Sequence, residues 1–260
     1  YSWLGESVYN PFDILLFLSK DKEFRAYWFE TGTPTFLIKL IEEKGYYLPN
    51  LESCIVGDSL VNSFEIEDIK IESILFQSGY LTIKKASKDI FGLPLYTLDY
   101  PNFETRHSFG NLLIDNIAKN NRGVYQTSIY KALLTADLET FKTTIISLFA
   151  SIPYNNYAKN PLQQYEGYYA SVIYAYLASL GIDMIAEDTT NKGRIDLTLK
   201  LQNFIYILEF KVDGDGKALK QIKDKNYADK YKNENKEIWL VGVEFDSKSR
   251  GVSLVEWERG

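Results

Sequence analysis

Glu209 and Lys211 interrupt the end of an otherwise apolar run, Phe204-Ile205-Tyr206-Ile207-Leu208-Glu209-Phe210-Lys211-Val212. Side chains at i and i+2 of a strand share one side, about 6.6 Å apart. A carboxylate and an ammonium therefore emerge together beside apolar neighbours, where unpaired charge is costly. Other acidic-x-Lys triplets begin at Glu42, Asp68, Asp215, Glu234 and Asp246, all in polar stretches that read as helix or loop. Only the Glu209 triplet closes a buried-looking strand. The segment before it, Gly193-Arg194-Ile195-Asp196-Leu197-Thr198-Leu199, is apolar at its odd positions and sets Asp196 on the opposite side. The short connection Gln202-Asn203 predicts an antiparallel hairpin, and pairing about its centre puts Asp196 across from Glu209. Two carboxylates roughly 5 Å apart at Cβ repel unless a cation or proton intervenes. A divalent metal is the simplest such cation; the plainer alternative is an internal salt bridge at the sheet edge.

A third carboxylate, Glu166, lies on a predicted helix from Pro161 to Leu180, on one face with Tyr169, Ala170, Ile173 and Leu177. That helix is apolar nearly all round, so the charge stands out. The competing reading is a solvent-facing Glu favoured by the helix dipole. The other common metal and redox chemistries are excluded by count. A single Cys54 forbids an intramolecular disulfide and Cys-rich zinc or iron–sulfur sites, and a single His107 forbids zinc sites built on several His. Chemistry must rest on carboxylates, lysines, hydroxyls or backbone. The net charge of −6 is unevenly spread: Asn191 to Lys236 holds 11 Lys/Arg and 7 Asp/Glu, a local +4. A solvated Lys face accounts for that as readily as a polyanion-binding surface does.

The elements that must hold these residues follow from caps and periodicity. The first half reads mainly helical: Asn10-Pro11 opens a helix through Leu18, Thr33-Pro34 opens another that Gly45 closes, and Tyr27-Trp28-Phe29 reads as core. Ile71 to Gln77 predicts a helix, Tyr80 to Ile83 and Leu95 to Asp99 a hairpin, and Phe109 to Ala118 a further helix. That order is compatible with a winged-helix module, which binds DNA or packs against a neighbour. Asp137 to Ser151 predicts a helix, and the stretch Ile152 to Asn156 a linker. Strands follow at Ile182 to Ala186, Arg194 to Leu201 and Phe204 to Val212, then a Lys-rich helix from Asp215 to Asn233. Glu237 to Phe245 and Gly251 to Trp257 complete an α/β order. Two domains are expected, 1–150 and 151–260. The longest nearly apolar stretch, Tyr168 to Leu180, is 13 residues, too short for a bilayer. No charged-then-apolar leader opens the chain, so the expected location is the cytoplasm with no membrane partner. Tyr1 at the start, with Met184 as the single Met, reads as a fragment of a longer polypeptide.

Asp196, then Glu209-Phe210-Lys211 on the next strand, behind a helix bearing Glu166, resembles the PD-(D/E)XK nuclease superfamily. The usual Pro before the Asp is replaced by Ile195. The resemblance covers Asn160 to the C-terminus and implies a restriction-endonuclease-like αβββαβ core. The whole chain is similar to a bacterial and archaeal family in which an AAA-ATPase-like region precedes such a nuclease domain. The matching stretches include Tyr9-Asn10-Pro11-Phe12, Thr31-Gly32-Thr33-Pro34, Phe76 to Thr82, Pro101-Asn102-Phe103-Glu104, Gly193 to Asp196, and Ala218-Leu219-Lys220-Gln221-Ile222. The family's P-loop is missing from this sequence: Asp215-Gly216-Lys217-Ala218 is too short and lacks the hydroxyl. The resemblance implies that residues 1–150 are a helical ATPase tail with a winged-helix-like segment, and that an ATPase domain lies upstream. It further implies Mg²⁺ or Mn²⁺ on Asp196, Glu209 and the Phe210 carbonyl, completed by Glu166. Lys211 would then act on the attacking water and Gln221 would shape the site. Lys217, Lys220 and Lys223 would contact phosphates of nucleic acid, DNA by family habit. Its rivals are a non-cleaving nucleic-acid-binding module and a regulatory domain of an AAA-type ATPase, with the acids paired to Arg194 and Lys211.

Overall fold

In a computed structural model, residues 4–6, 8–23, 27, 35–44, 46–52, 54–57, 70–117, 122–152 and 166–260 are described, with backbone alone at 35, 42, 117 and 166. They fall into two compact units, Tyr1–Tyr46 with Asn50–Gly110, and Tyr47–Pro49 with Asn111–Gly260. Trp28, Phe29, Thr33-Pro34, Gly45, the linker beyond Ile152 and the Asn160-Pro161 cap lie outside the described residues. No helix among the described residues is long and apolar enough to cross a membrane.

The first unit holds α1 (Pro11–Ser19), α2 (Thr35–Lys44), β1 (Cys54–Val56), α3 (Ile71–Gln77), β2 (Thr82–Lys88), β3 (Pro94–Asp99) and the start of α4 (Phe103–Ile117). Asn10 caps α1 by accepting the Phe12 N–H at 3.0 Å, as the Asn-Pro pair predicts. The helix–hairpin–helix order is present, and its sheet gains a strand, running β1-β3-β2. β1 has only three residues, with the apolar Ile55 exposed between half-buried Cys54 and Val56. Tyr80 packs on the buried Phe109 with ring centroids 4.9 Å apart.

The second unit contains α5 (Arg122–Thr135), α6 (Leu138–Ala150), α7 (Glu166–Ser179), β4 (Asp183–Thr190), β5 (Gly193–Lys200), β6 (Phe204–Val212), α8 (Lys217–Asp224), a 3₁₀ segment (Tyr227–Glu234), β7 (Glu237–Asp246) and β8 (Gly251–Arg259). The sheet order is β4-β5-β6-β7-β8. Every neighbouring pair is antiparallel except β6–β7, which is parallel and joined through α8. Against the expected boundary at 150/151, α5 and α6 lie in the same unit as the sheet. The Tyr206 hydroxyl donates to the Leu133 carbonyl at 2.7 Å, and Phe149 and Tyr169 pack on Phe245. The opposite face carries Ile195, Ile205, Ile207, Ile238 and Leu240 under Ile222, Tyr227 and Tyr231.

The Lys-rich segment is not the single helix expected from Asp215 to Asn233. It breaks at Asn226, whose φ of 48° lies in the left-handed region that Asn tolerates. The turn there aims Tyr227 and Tyr231 into the core, and burying two aromatics outweighs continuing a helix of exposed lysines.

Asp137 caps α6, accepting the Thr140 N–H at 3.0 Å and the Thr140 hydroxyl at 2.6 Å. These bonds hold its carboxyl below the usual carboxylate range. A group depressed in this way adds stability above its unfolded pKa of about 3.9, and loses it as pH falls through the folded value. Asp137→Ala should therefore lower the Tm at neutral pH, with the gap from the native protein closing on acidification. Thermal melts followed by circular dichroism across pH check this; a gap independent of pH would contradict it.

Candidate active site

The register of the β5–β6 hairpin is the one the short turn dictates: Lys200↔Ile205, Thr198↔Ile207 and Leu197↔Leu208. The ladder ends there, one step before Asp196 and Glu209 would pair. The β4–β5 ladder also passes over this level, from Ala186↔Leu197 to Asp188↔Ile195, and skips Glu187 and Asp196. Glu187 has φ 53°, a left-handed conformation uncommon for a non-glycine residue and enriched at functional sites.

Where the β5–β6 ladder stops, Phe210 has no partner on β5, though it still pairs with Val243 of β7, and side chains take over on the β5 side. Asp196 Oδ2 accepts the Phe210 N–H at 2.8 Å. Lys211 Nζ donates to the Phe210 carbonyl at 2.9 Å and to Glu209 Oε1 at 3.2 Å. Gln221 Nε2, arriving from α8, donates to the same Oε1. Glu209 is 1% exposed, whereas the Lys211 side chain keeps 22% of its surface in solvent. Asp196 and Lys211 thus meet at the backbone N–H and carbonyl of Phe210, and Lys211 and Gln221 meet at the Glu209 carboxylate.

This geometry changes one expectation. The two acids do not simply face each other across the strands: each has recruited the nearest donor, a backbone N–H for Asp196 and an ammonium plus an amide for Glu209. Arg194, the other expected cation, pairs with Glu187 instead. Glu166 opens α7, and its side chain lies outside the described residues. Lys217 and Lys220 are exposed on α8, while Lys223 reaches Glu258 of β8 at 2.6 Å.

Supporting residues appear that the sequence reading passed over. Glu244, 3% exposed on β7, accepts the Gly216 N–H and the Ala218 N–H at 2.9 Å each. It satisfies donors that the first turn of α8 cannot pair internally and places negative charge at the positive end of the helix. The signal was available: Glu244 interrupts the apolar run Ile238 to Phe245 just as Glu209 interrupts its own. Gly242, level with Glu209 in the β6–β7 register, lets α8 lie directly on the sheet. A Cβ there would stand 2.4 Å from the Leu219 nitrogen. Tyr227 donates to the Arg194 carbonyl at 3.0 Å, and burial with the nearby charges of Glu209 and Asp196 raises its phenol above the usual value. Asp188, buried, gathers the Thr198 hydroxyl at 2.9 Å, the Tyr231 hydroxyl and the Lys230 ammonium, tying β4 to the 3₁₀ segment. Nothing in the polar stretch around Asp188 marks it as buried.

Residues 164–255 match a family model described as the PD-(D/E)XK nuclease superfamily. The C-terminal half carries a PD-(D/E)XK nuclease superfamily domain. Over 257 residues the chain is also 46% identical to the "Uncharacterized protein in vnfD 5'region" of Azotobacter chroococcum mcd 1, across 97% of this chain and 49% of that protein. The chain spans about half the length of that curated relative.

Whether this nuclease-superfamily domain suits a divalent ion is a question of donor chemistry. Among the described residues, no three His, Cys, Asp or Glu side chains are grouped to hold a metal. The donors that do converge are hard oxygens, from Asp196, Glu209 and the Phe210 carbonyl, the type Mg²⁺ prefers. Two of these oxygens already hold a cation, the Lys211 ammonium. The set therefore fits a small hard cation.

Proposed function

We propose that the C-terminal domain hydrolyses phosphodiester bonds in nucleic acid, with DNA as the substrate and Mg²⁺ or Mn²⁺ as the cofactor. The observation that carries this reading is the convergence of Asp196 and Lys211 on the Phe210 backbone, with Lys211 also bound to Glu209. A carboxylate that is 1% exposed is expensive to keep charged, and a purely structural role would be served as well by an apolar pair. The residues that would hold the ion are Asp196, Glu209 and the Phe210 carbonyl, joined by Glu166. Bound there, a divalent ion supplies Lewis-acid polarisation of the scissile phosphate and a lowered pKa for a water.

The chain's own groups do the rest. Gln221 fixes the Glu209 carboxylate through Oε1, so that carboxylate does not rotate as charge changes nearby. Lys211, on a flexible stem with access to solvent, leaves Oε1 to orient the attacking water and offset negative charge developing on the phosphate. Glu244 and Gly242 hold α8 at the height that lets Gln221 reach. Lys217 and Lys220 on the exposed side of that helix would take flanking phosphates, giving salt-sensitive affinity without sequence preference. An ATPase region elsewhere in the polypeptide, as the sequence resemblance implies, belongs to the same reading and is consistent with the greater length of the relative.

The test is nicking of supercoiled plasmid. Cleavage is expected in Mg²⁺ or Mn²⁺, is expected to stop on EDTA, and is expected to disappear in Asp196→Ala while persisting in Glu139→Ala. Binding without cleavage in every metal would instead assign the domain as a non-cleaving nucleic-acid-binding module, for which the Lys211–Glu209 ion pair would be a permanent feature.

A further inference from the structure

We propose that the β2–β3 hairpin of the first unit is a nucleic-acid-binding arm, with Lys84, Lys85 and Lys88 taking backbone phosphates and the Ile90–Phe91 tip lying against bases and sugars. The choice of a nucleic acid as the polyanion rests on the nuclease reading of the second unit; the hairpin's construction stands independently of it.

The tip is built, not frayed. Asp89 Oδ1 accepts the Phe91 N–H and the Leu93 N–H, each at 2.8 Å. The Asp89 N–H donates to the Leu93 carbonyl at 2.8 Å, and the Gly92 N–H donates to the Asp89 carbonyl at 3.1 Å. Gly92 takes φ 83°, which a side chain would resist, so the sequence Asp-Ile-Phe-Gly-Leu suits this turn. What the turn holds out is apolar: Ile90 is 92% exposed, Phe91 82% and Leu93 57%. Single exposed apolar residues need no explanation, but three together on an ordered turn mark a contact surface.

Charge identifies the partner. Lys84, Lys85 and Lys88 are all exposed on the strand leading to the tip. Lys85 and Lys88 are three residues apart in regular pairing with Thr97 and Pro94, so they lie on opposite faces of the hairpin. A flat protein surface would meet one face only. A polyanion that wraps a projecting arm meets both, with apolar side chains at the leading edge. Apolar wedges flanked by cationic residues are how proteins enter a minor groove, and aromatic side chains also stack on unpaired bases. An anionic membrane would satisfy the same charges, but it would meet a single tip with few apolar residues.

Binding of the full chain to a fluorescent DNA duplex, and to one of its strands alone, separates these possibilities. EDTA is present throughout, so no cleavage intervenes. Lys84→Ala/Lys85→Ala/Lys88→Ala is expected to weaken binding by about tenfold or more and to flatten the slope of log affinity against log salt by about 2 to 3. Ile90→Ser/Phe91→Ser, whose exposed positions do not threaten folding, is expected to weaken binding by about tenfold with the salt slope unchanged. Lys131→Ala should bind as the native chain does. Native-like binding in both hairpin variants overturns the proposal, as does hairpin-dependent capture by phosphatidylserine vesicles with nucleic-acid binding unaffected. A chain that cleaves in Mg²⁺ but ignores the hairpin changes refutes this arm alone. Hairpin-dependent binding without cleavage refutes the nuclease reading alone.

Discussion

Glu209→Gln should give a folded protein that no longer cleaves. The substitution keeps the shape and the hydrogen bond from Gln221 but removes the charge on which the cation depends. Loss of transition-state charge stabilisation on this scale lowers turnover by about 10³ or more. Stability should move by only about 1 kcal/mol, because neutralising a buried carboxylate removes a desolvation penalty as well as an ion pair. The stranded Lys211 ammonium keeps the Phe210 carbonyl and can turn to solvent. Plasmid nicking read together with urea denaturation makes the test two-sided. If Glu209 were a structural partner of Lys211, the variant would lose about 3 kcal/mol or more. A variant that still cleaves would move the active centre elsewhere.

The second large effect is expected at a residue with no functional group. In Gly242→Ala the new Cβ meets the Leu219 nitrogen at 2.4 Å and its Cα at 3.0 Å, and both are backbone atoms of α8 that cannot rotate away. The helix must lift from the sheet, at about 3 kcal/mol by the measure of overpacked cores. Lifting α8 also withdraws Gln221 from Glu209 and strains the cap that Glu244 makes at Gly216 and Ala218. Turnover of the fraction that still folds should therefore fall by about tenfold or more. Gly251→Ala, where a Cβ meets nothing within 4 Å, is the matched control. Native stability in Gly242→Ala would show that α8 does not depend on this close approach.

Legibility from sequence followed the range of the interaction. The helix Ile71–Gln77 and the strand Phe204–Val212 have the bounds their periodicity predicts. Asn10 caps the helix its position announces, and the helix expected from Asp137 begins at Leu138 with Asp137 as its cap. By contrast α5 was missed, because its buried residues, Ile129, Ala132 and Leu133, form only a short stripe. The break at Asn226 was missed because lysine spacing continues across it, and only the burial of Tyr227 and Tyr231 decides the turn.

For the candidate site the same division holds. The sequence by itself determined which acids lie at one level of neighbouring strands, since a two-residue turn admits one register and a strand repeats every two residues. It also determined that Glu209 and Lys211 share a side. What each acid holds was decided by the tertiary structure alone. The end of the β5–β6 ladder freed the Phe210 N–H for Asp196, and the crossover through α8 brought Gln221 onto Glu209. Those partners come from other segments of the chain, and a hydrogen bond acts over about 3 Å, a proximity that linear spacing does not encode.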